Sequence, residues 1–187
     1  MTVIYIALAL IVVSSIAVLL SYNRFVSQRQ LIDNSWSNVD TELQRRHDLI
    51  PNLVETVKGY ASHEQRTFET VTAARAQAMS VRGSAAAQSP AENNLVDGVR
   101  QLLAVSEAYP QLRASYHFLQ LQDELVMTEN RIQAARRFFN GNVRDYNRRV
   151  DSFPSLVIAR SFHFSREEYF EVEPIVRDVP AVVFNPQ

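Results

Sequence analysis

The eighteen residues from Val3 to Leu20, VIYIALALIVVSSIAVLL, carry no charge and only two hydroxyls in sequence after Tyr5, at Ser14 and Ser15. A helix rises about 1.5 Å per residue, so about 20 such residues match the roughly 30 Å hydrocarbon layer of a bilayer. The run reads as a transmembrane anchor over residues 1–24, which makes a lipid bilayer the first expected partner. A cleaved signal peptide is the competing reading, with Ser15-Ile16-Ala17 in the place of a cleavage site. Against it, Met1 and Thr2 supply no positive flank, and the run exceeds the usual stretch of about 7 to 15 residues.

Tyr22, Arg24 and Arg29 follow the span as an interfacial aromatic and two cations, whereas no Lys or Arg precedes it. The positive-inside rule then puts the amino terminus outside and the remaining chain in the cytoplasm, with a periplasmic domain as the alternative. Within the span Ala7, Ser14 and Ser21 recur seven residues apart, and Ala17 falls close to the same face. A stripe of small residues lets helices approach closely, so a homo-oligomer is expected.

A chain of 187 residues leaves room for one compact domain beyond the anchor. Apolar residues at Trp36, Val39, Leu43, Ile50, Leu53, Val57, Tyr60, Phe68 and Val71 keep a period near 3.5, which predicts one long helix over about 25–79. The stretch SVRGSAAAQS, residues 80–89, reads as a loop. Ser89-Pro90-Ala91-Glu92 has the form of a capping box with proline at the first helical position, opening a second helix over about 90–108. Pro110 stops it, because the residue before a proline is driven out of the α region.

The third helix, about 115–150, lines up Phe118, Leu121, Leu125, Thr128, Ile132, Ala135, Phe139, Asn142 and Tyr146. Thr128 and Asn142 are polar members of that seam and are expected to fix register there. Phe153-Pro154 closes the helix, and residues 155–187 read as an extended tail. The expected fold is all-α: a transmembrane helix, then an elongated antiparallel bundle of three long helices over 25–154, then the tail.

Chemistry is sparse. There is no cysteine, which removes disulfides, thiolate catalysis and cysteine-ligated metals. A net charge of −1 and a pI near 6.4 lack the basic excess of a nucleic-acid binder. His47 and His63 stand sixteen residues apart, about 24 Å along a straight helix, too far to share a metal. No Glu is followed three residues later by His, so a di-metal carboxylate bundle site is not expected. The four glycines, at 59, 83, 98 and 141, form no phosphate-binding loop. No catalytic, cofactor-binding or metal-binding residue is assigned.

The densest polar stretch is RRHDLIPNLVETVKGYASHE, residues 45–64. Leu43, Ile50 and Val57 stay seven apart across Pro51, which favours one bent helix over a helix restarted at an Asp48 cap. A proline at 51 removes the amide that would bond the carbonyl of His47. Arg45, Arg46, His47, Asp48 and Pro51 are therefore read as a kinked, ion-paired surface and a candidate docking face. With Lys58 the only lysine, the positive groups favour forked pairing with carboxylates.

Several stretches are similar to those of the LemA family of bacterial membrane proteins: YNRFV after the span, WSNVDTELQRRHDLIPNLVETVKGYASHE, EAYPQL, FLQLQDEL, TENRIQAARRFFNGNVRDYN and SFPS. Glu42, Gln44 and the segment SYHF depart from the usual pattern. The resemblance implies a single-pass membrane anchor and an antiparallel helical bundle facing the cytoplasm, and the location expected is a bacterial inner membrane. It implies no catalytic residue. The expected function is a non-enzymatic scaffold that self-assembles and organises the membrane or its protein complexes. The alternative is an adaptor or regulatory subunit of a membrane protease or envelope-stress system, with the tail near Phe170 to Phe184 as its docking element.

Overall fold

The computed structural model describes residues 1–175. These form six helices, α1 Thr2–Lys58, α2 Gln65–Ser80, α3 Ala85–Glu107, α4 Pro110–Arg113, α5 Tyr116–Asp151 and α6 Ser155–Ser161, and no strand. The fold is all-α, a helical bundle behind a long apolar N-terminal helix. An 18-residue window of α1 has a mean hydropathy of 2.9 and none of it is covered by the rest of the chain. It is long and apolar enough to cross a membrane. α1 continues without a break from that window to Lys58.

The chain divides into two compact units, with α1 and α5 contributing to both. The first holds Met1–Asp40 and Ala135–Phe170. Here α1 buries Phe25, Ile32, Ser35 and Val39, at spacings of seven, three and four that keep one face of the helix on the core. Phe25 meets Tyr146 edge-on at 6.0 Å between centroids, and Trp36 meets Phe139 at 5.2 Å. Since 25 pairs with 146 and 36 with 139, α1 and α5 run antiparallel in this unit. Phe164 stacks on Phe25 at 4.7 Å.

The second unit holds Thr41–Ala134 and the described residues from Glu171 onward. Its core takes Leu43, Ile50, Leu53 and Val57 from α1, Phe68 and Val71 from α2, Leu95, Val99 and Leu102 from α3, and Phe118, Leu125 and Ile132 from α5. At Gly98 an added Cβ would lie 3.3 Å from the Cα of Val71, so the missing side chain is what lets α2 and α3 close on one another.

Three expected boundaries are corrected. The helix expected over 25–79 is two helices, because α1 ends at Lys58 before Gly59, a poor helix former. The amide of Ala61 then turns back to the carbonyl of Val57 at 2.9 Å. α3 starts before the expected cap: the hydroxyl of Ser84 accepts from the amide of Ala87 at 3.3 Å, and the Ala85–Ala87 run sustains the helix from there. The loop is thus only residues 81–84, and Pro90 sits inside α3. The tail expected to be extended from 155 begins as α6. That helix ends with Phe164 donating to the carbonyl of Ala159 at 2.9 Å and His163 at φ 58°, a Schellman closure with histidine in the left-handed position. α5, at Tyr116–Asp151, lies close to the expected 115–150.

Candidate functional site

Arg46 and His47 follow Leu43 by three and four residues, so helix geometry aims both at the face that buries Leu43 and Ile50. Arg46 is fully buried and His47 is 5% exposed. α3 brings Glu92 and α5 brings Glu129 to meet them, at 1% and 3% exposure. Nη1 of Arg46 donates to Oε1 of Glu129 at 3.1 Å, and Nη2 donates to Oε2 of Glu92. Nε2 of His47 lies 3.0 Å from Oε1 of Glu92. The second oxygen of Glu129 accepts from the amide of Ile175 at 3.3 Å.

Burial works to raise the Glu92 carboxyl. The His47 hydrogen bond and the charge of Arg46 outweigh it and leave the group below the usual carboxylate value. Arg46 therefore acts as the resident cation between two buried carboxylates. Among the described residues no group of three or more His, Cys, Asp or Glu is placed to hold a metal ion. The cluster is sealed from solvent, so its chemistry is that of an internal ionic lock between α1, α3 and α5. A charge pair taken fully out of water holds its partners strongly in register once formed, because an unpaired member is costly.

Pro51 shapes the same turn. It deprives the His47 carbonyl of its helical donor, and Nε of Arg75 on α2 replaces it at 2.6 Å. The five residues expected to form one polar surface are thus divided. Arg46 and His47 belong to the core, whereas Arg45, Asp48 and Pro51 are exposed. Arg45 pairs with Glu42 at 3.4 Å, and Asp48 accepts from Gln44 at 2.9 Å. Arg45 and Asp48, with Leu49, border a hollow of about 380 Å³ closed by Glu124, Met127, Thr128 and Arg131 of α5.

Of the two expected register residues, Thr128 is buried at 6%. Asn142 is only half-buried, and its Nδ2 has no hydrogen-bond partner. Its neighbours Asn140 and Asn147, which sequence reasoning passed over, do more. In the first unit the Asn147 amide donates to the carbonyl of Glu167 and accepts from its N–H, both at 2.9 Å. Asn140 does the same with Phe170, at 3.0 and 2.9 Å. Each side-chain amide thus replaces a peptide partner for the tail. In the second unit Asn93 bridges the carbonyl of Glu171 and the amide of Glu173 at 3.1 and 2.9 Å. Arg100 takes the carbonyl of Pro174 at 2.7 Å. Phe170, Val172 and Ile175 are buried, so this part of the expected docking element is seated on the chain itself; 176–184 lies outside the described residues. The seven-residue spacing of Asn140 and Asn147 was the available signal.

Ala7, Ser14 and Ala17 are exposed and Ser21 is half-buried. Tyr22 packs against Phe162 and Phe164, at 5.0 and 5.6 Å. Arg29 pairs with Glu167 at 3.6 Å on the surface, a contact of small energetic weight. Ser14, Ala17, Ser21 and Arg24 line an open groove facing the end of α5 and the start of α6.

The LemA family model matches residues 35–184, most of the chain. Magnetosome protein MamQ of Magnetospirillum gryphiswaldense is 25% identical over 94% of this chain and 75% of its own length. Magnetosome protein MamQ 2 of Paramagnetospirillum magneticum is 26% identical over 91% and 72%. Protein LemA of Metamycoplasma hominis is 25% identical over 83% and 71%. Neither the family nor these relatives bear the name of an enzyme, and with the apolar N-terminal helix they mark a membrane-associated protein. On that family match, from residue 35 to residue 184, the chain belongs to the LemA family.

Proposed function

We propose that this chain is a single-pass, membrane-anchored helical scaffold that works by self-assembly and binding rather than by catalysis. The observation that carries the reading is the uncovered apolar window of α1, at mean hydropathy 2.9, on a chain whose most concentrated ionisable cluster is closed to solvent. A surface so apolar is stable only in lipid or against other apolar surface. The exposed small residues Ala7, Ser14 and Ala17 support close approach of spans. The relatives reported above are named for the magnetosome or for the family, not for a reaction, which suits a structural task. The excess of arginine after the span supports a cytoplasmic domain at a bacterial inner membrane.

The test is the mass of the full-length protein in mild detergent beside a form lacking residues 1–24. A large, defined oligomer that shrinks on truncation is expected. A monomer in both overturns self-assembly and leaves the adaptor of a membrane protease as the reading to pursue. Orientation is open to direct labelling, because the chain has no cysteine. Thr2→Cys is expected to react with an impermeant maleimide from outside the cell, and Tyr116→Cys, at 76% exposure, only after permeabilisation. The reverse pattern would place the domain on the other side.

A further inference from the structure

A groove of about 810 Å³ runs along α1 in the first unit. Its lower wall is made by Ser14, Ala17 and Val18, residues of the apolar stretch, facing Val157 and Ile158 of α6. Its upper end holds Arg24, Arg148 and Arg149. Arg24 stands four residues beyond Leu20, about 6 Å further along the helix. One end of the groove is therefore at the depth of hydrocarbon and the other at the depth of headgroups, given the membrane-spanning reading above, on which this inference rests.

The three arginines at the upper end have no ion-pair partner among the described residues, although other arginines of the same unit have carboxylates. Asp145, the one acidic residue of the groove, lies 3.7 Å from Arg144. Asp151 is held by Arg166 at 2.7 Å. Arg149 leans over the ring of Phe25 at 5.8 Å with its Nε buried and unpartnered. Burial, and then the charge of Arg24, depress its pKa, as expected where cations meet no counter-ion. Phe153 and Val157, both in the groove lining, are 83% and 56% exposed, apolar surface that suits a lipid environment.

We propose that this groove binds an anionic phospholipid, its phosphate held by Arg24, Arg148 and Arg149 and an acyl chain lying between Ser14–Val18 and α6. Guanidinium groups match phosphate oxygens in forked, charge-assisted pairs. Small side chains on α1 leave the volume that an acyl chain fills, and apolar surface from Ala17, Val18, Val157 and Ile158 combined with a few converging charged groups is a usual feature of a ligand site. The lipid supplies the counter-ion that the described residues do not.

The experiment is native mass spectrometry of the full-length protein in mild detergent. Phosphatidylglycerol, phosphatidylcholine of the same chains, and inorganic phosphate serve as probes. Phosphatidylglycerol is expected to be retained over phosphatidylcholine, and Arg24→Gln/Arg148→Gln to cut that retention about tenfold. Both side chains are exposed, so the variant should keep its helical signal; if it does not, Arg148→Gln alone carries the comparison. Equal retention of the two lipids, or retention untouched by the substitutions, overturns the site. Phosphate binding with the same arginine dependence but no added retention of lipid would also overturn it, in favour of a free-anion site. A carbonate wash of membranes separates the two levels. Protein washed off refutes the anchor and the lipid site with it, whereas protein retained with arginine-independent lipid binding refutes the site alone.

Discussion

The carbonyl oxygen of His47 accepts a hydrogen bond from Nε of Arg75 at 2.6 Å. Pro51 stands four residues after His47 and has no amide to offer, so the donor that α1 lacks comes from α2. The bond is part-buried, and leaving the acceptor of such a bond unpaired costs about 1–2 kcal/mol. Arg75→Met is expected to lose about that much. In a Pro51→Ala background, where the amide at 51 can resume the helical bond, the same substitution should cost less than about 1 kcal/mol. Urea unfolding of the four proteins measures the coupling, and additive effects would show that the arginine does not substitute for the missing amide.

Arg46 neutralises two carboxylates at once. Arg46→Met should destabilise by about 3–5 kcal/mol, because it strands Glu92 and Glu129 in the core. Replacing all three, as Arg46→Met/Glu92→Leu/Glu129→Leu, is expected to recover most of that loss. A triple variant no more stable than the single one would argue that the lock contributes more than charge balance.

The depressed pKa of Glu92 fixes the sign of an acid response. Its contribution to stability is complete above the ordinary carboxylate value of about 4.5 and is lost as pH falls through the lowered value in the folded state. The Glu92→Gln variant should therefore show a flatter decline in unfolding midpoint below about pH 4.5 than the parent. Parallel curves would remove Glu92 from the acid response.

Asn140 and Asn147 each make two bonds to the tail. Asn147→Ala should cost about 1–3 kcal/mol at roughly 0.5–1.5 per bond, and should speed hydrogen exchange at the Glu167 amide. Asn140→Ala should do the same at Phe170. Protection unchanged at both amides would mean that the buried tail side chains alone hold the segment.

The seam of the bundle was legible from spacing: Leu43, Ile50 and Val57 recur by sevens and are 2%, 1% and 0% exposed. The ionic lock was not: Arg46 and His47 share the phase of Leu43, but charged side chains in a dense polar stretch ordinarily mark a solvated face. Periodicity tells which face a residue occupies, not what opposes it, and Glu92 and Glu129 lie 46 and 83 residues away from Arg46. Ser89 and Glu92 resembled a helix start for a related reason. Their spacing suits a cap, but the Ser89 hydroxyl bonds the carbonyl of Ala85 and the amide of Glu171, and Glu92 turns inward. The break after Lys58 was hidden because Val57 and Phe68 stand eleven residues apart, about three helical turns, so the apolar spacing continues across it.

Unbroken helix between Leu20 and Phe25 makes α1 a phase-keeping shaft. Each residue turns it by about 100°, so the azimuth of the apolar stretch is tied to that of Phe25, whose ring is clamped by Tyr146 and Phe164. One residue inserted between them would rotate the Ser14 face by about a quarter turn against that clamp, whereas seven would nearly restore it. The direction in which the small residues look is thereby set by the aromatic anchor at Phe25, and a twist applied to one reaches the other with no hinge to absorb it.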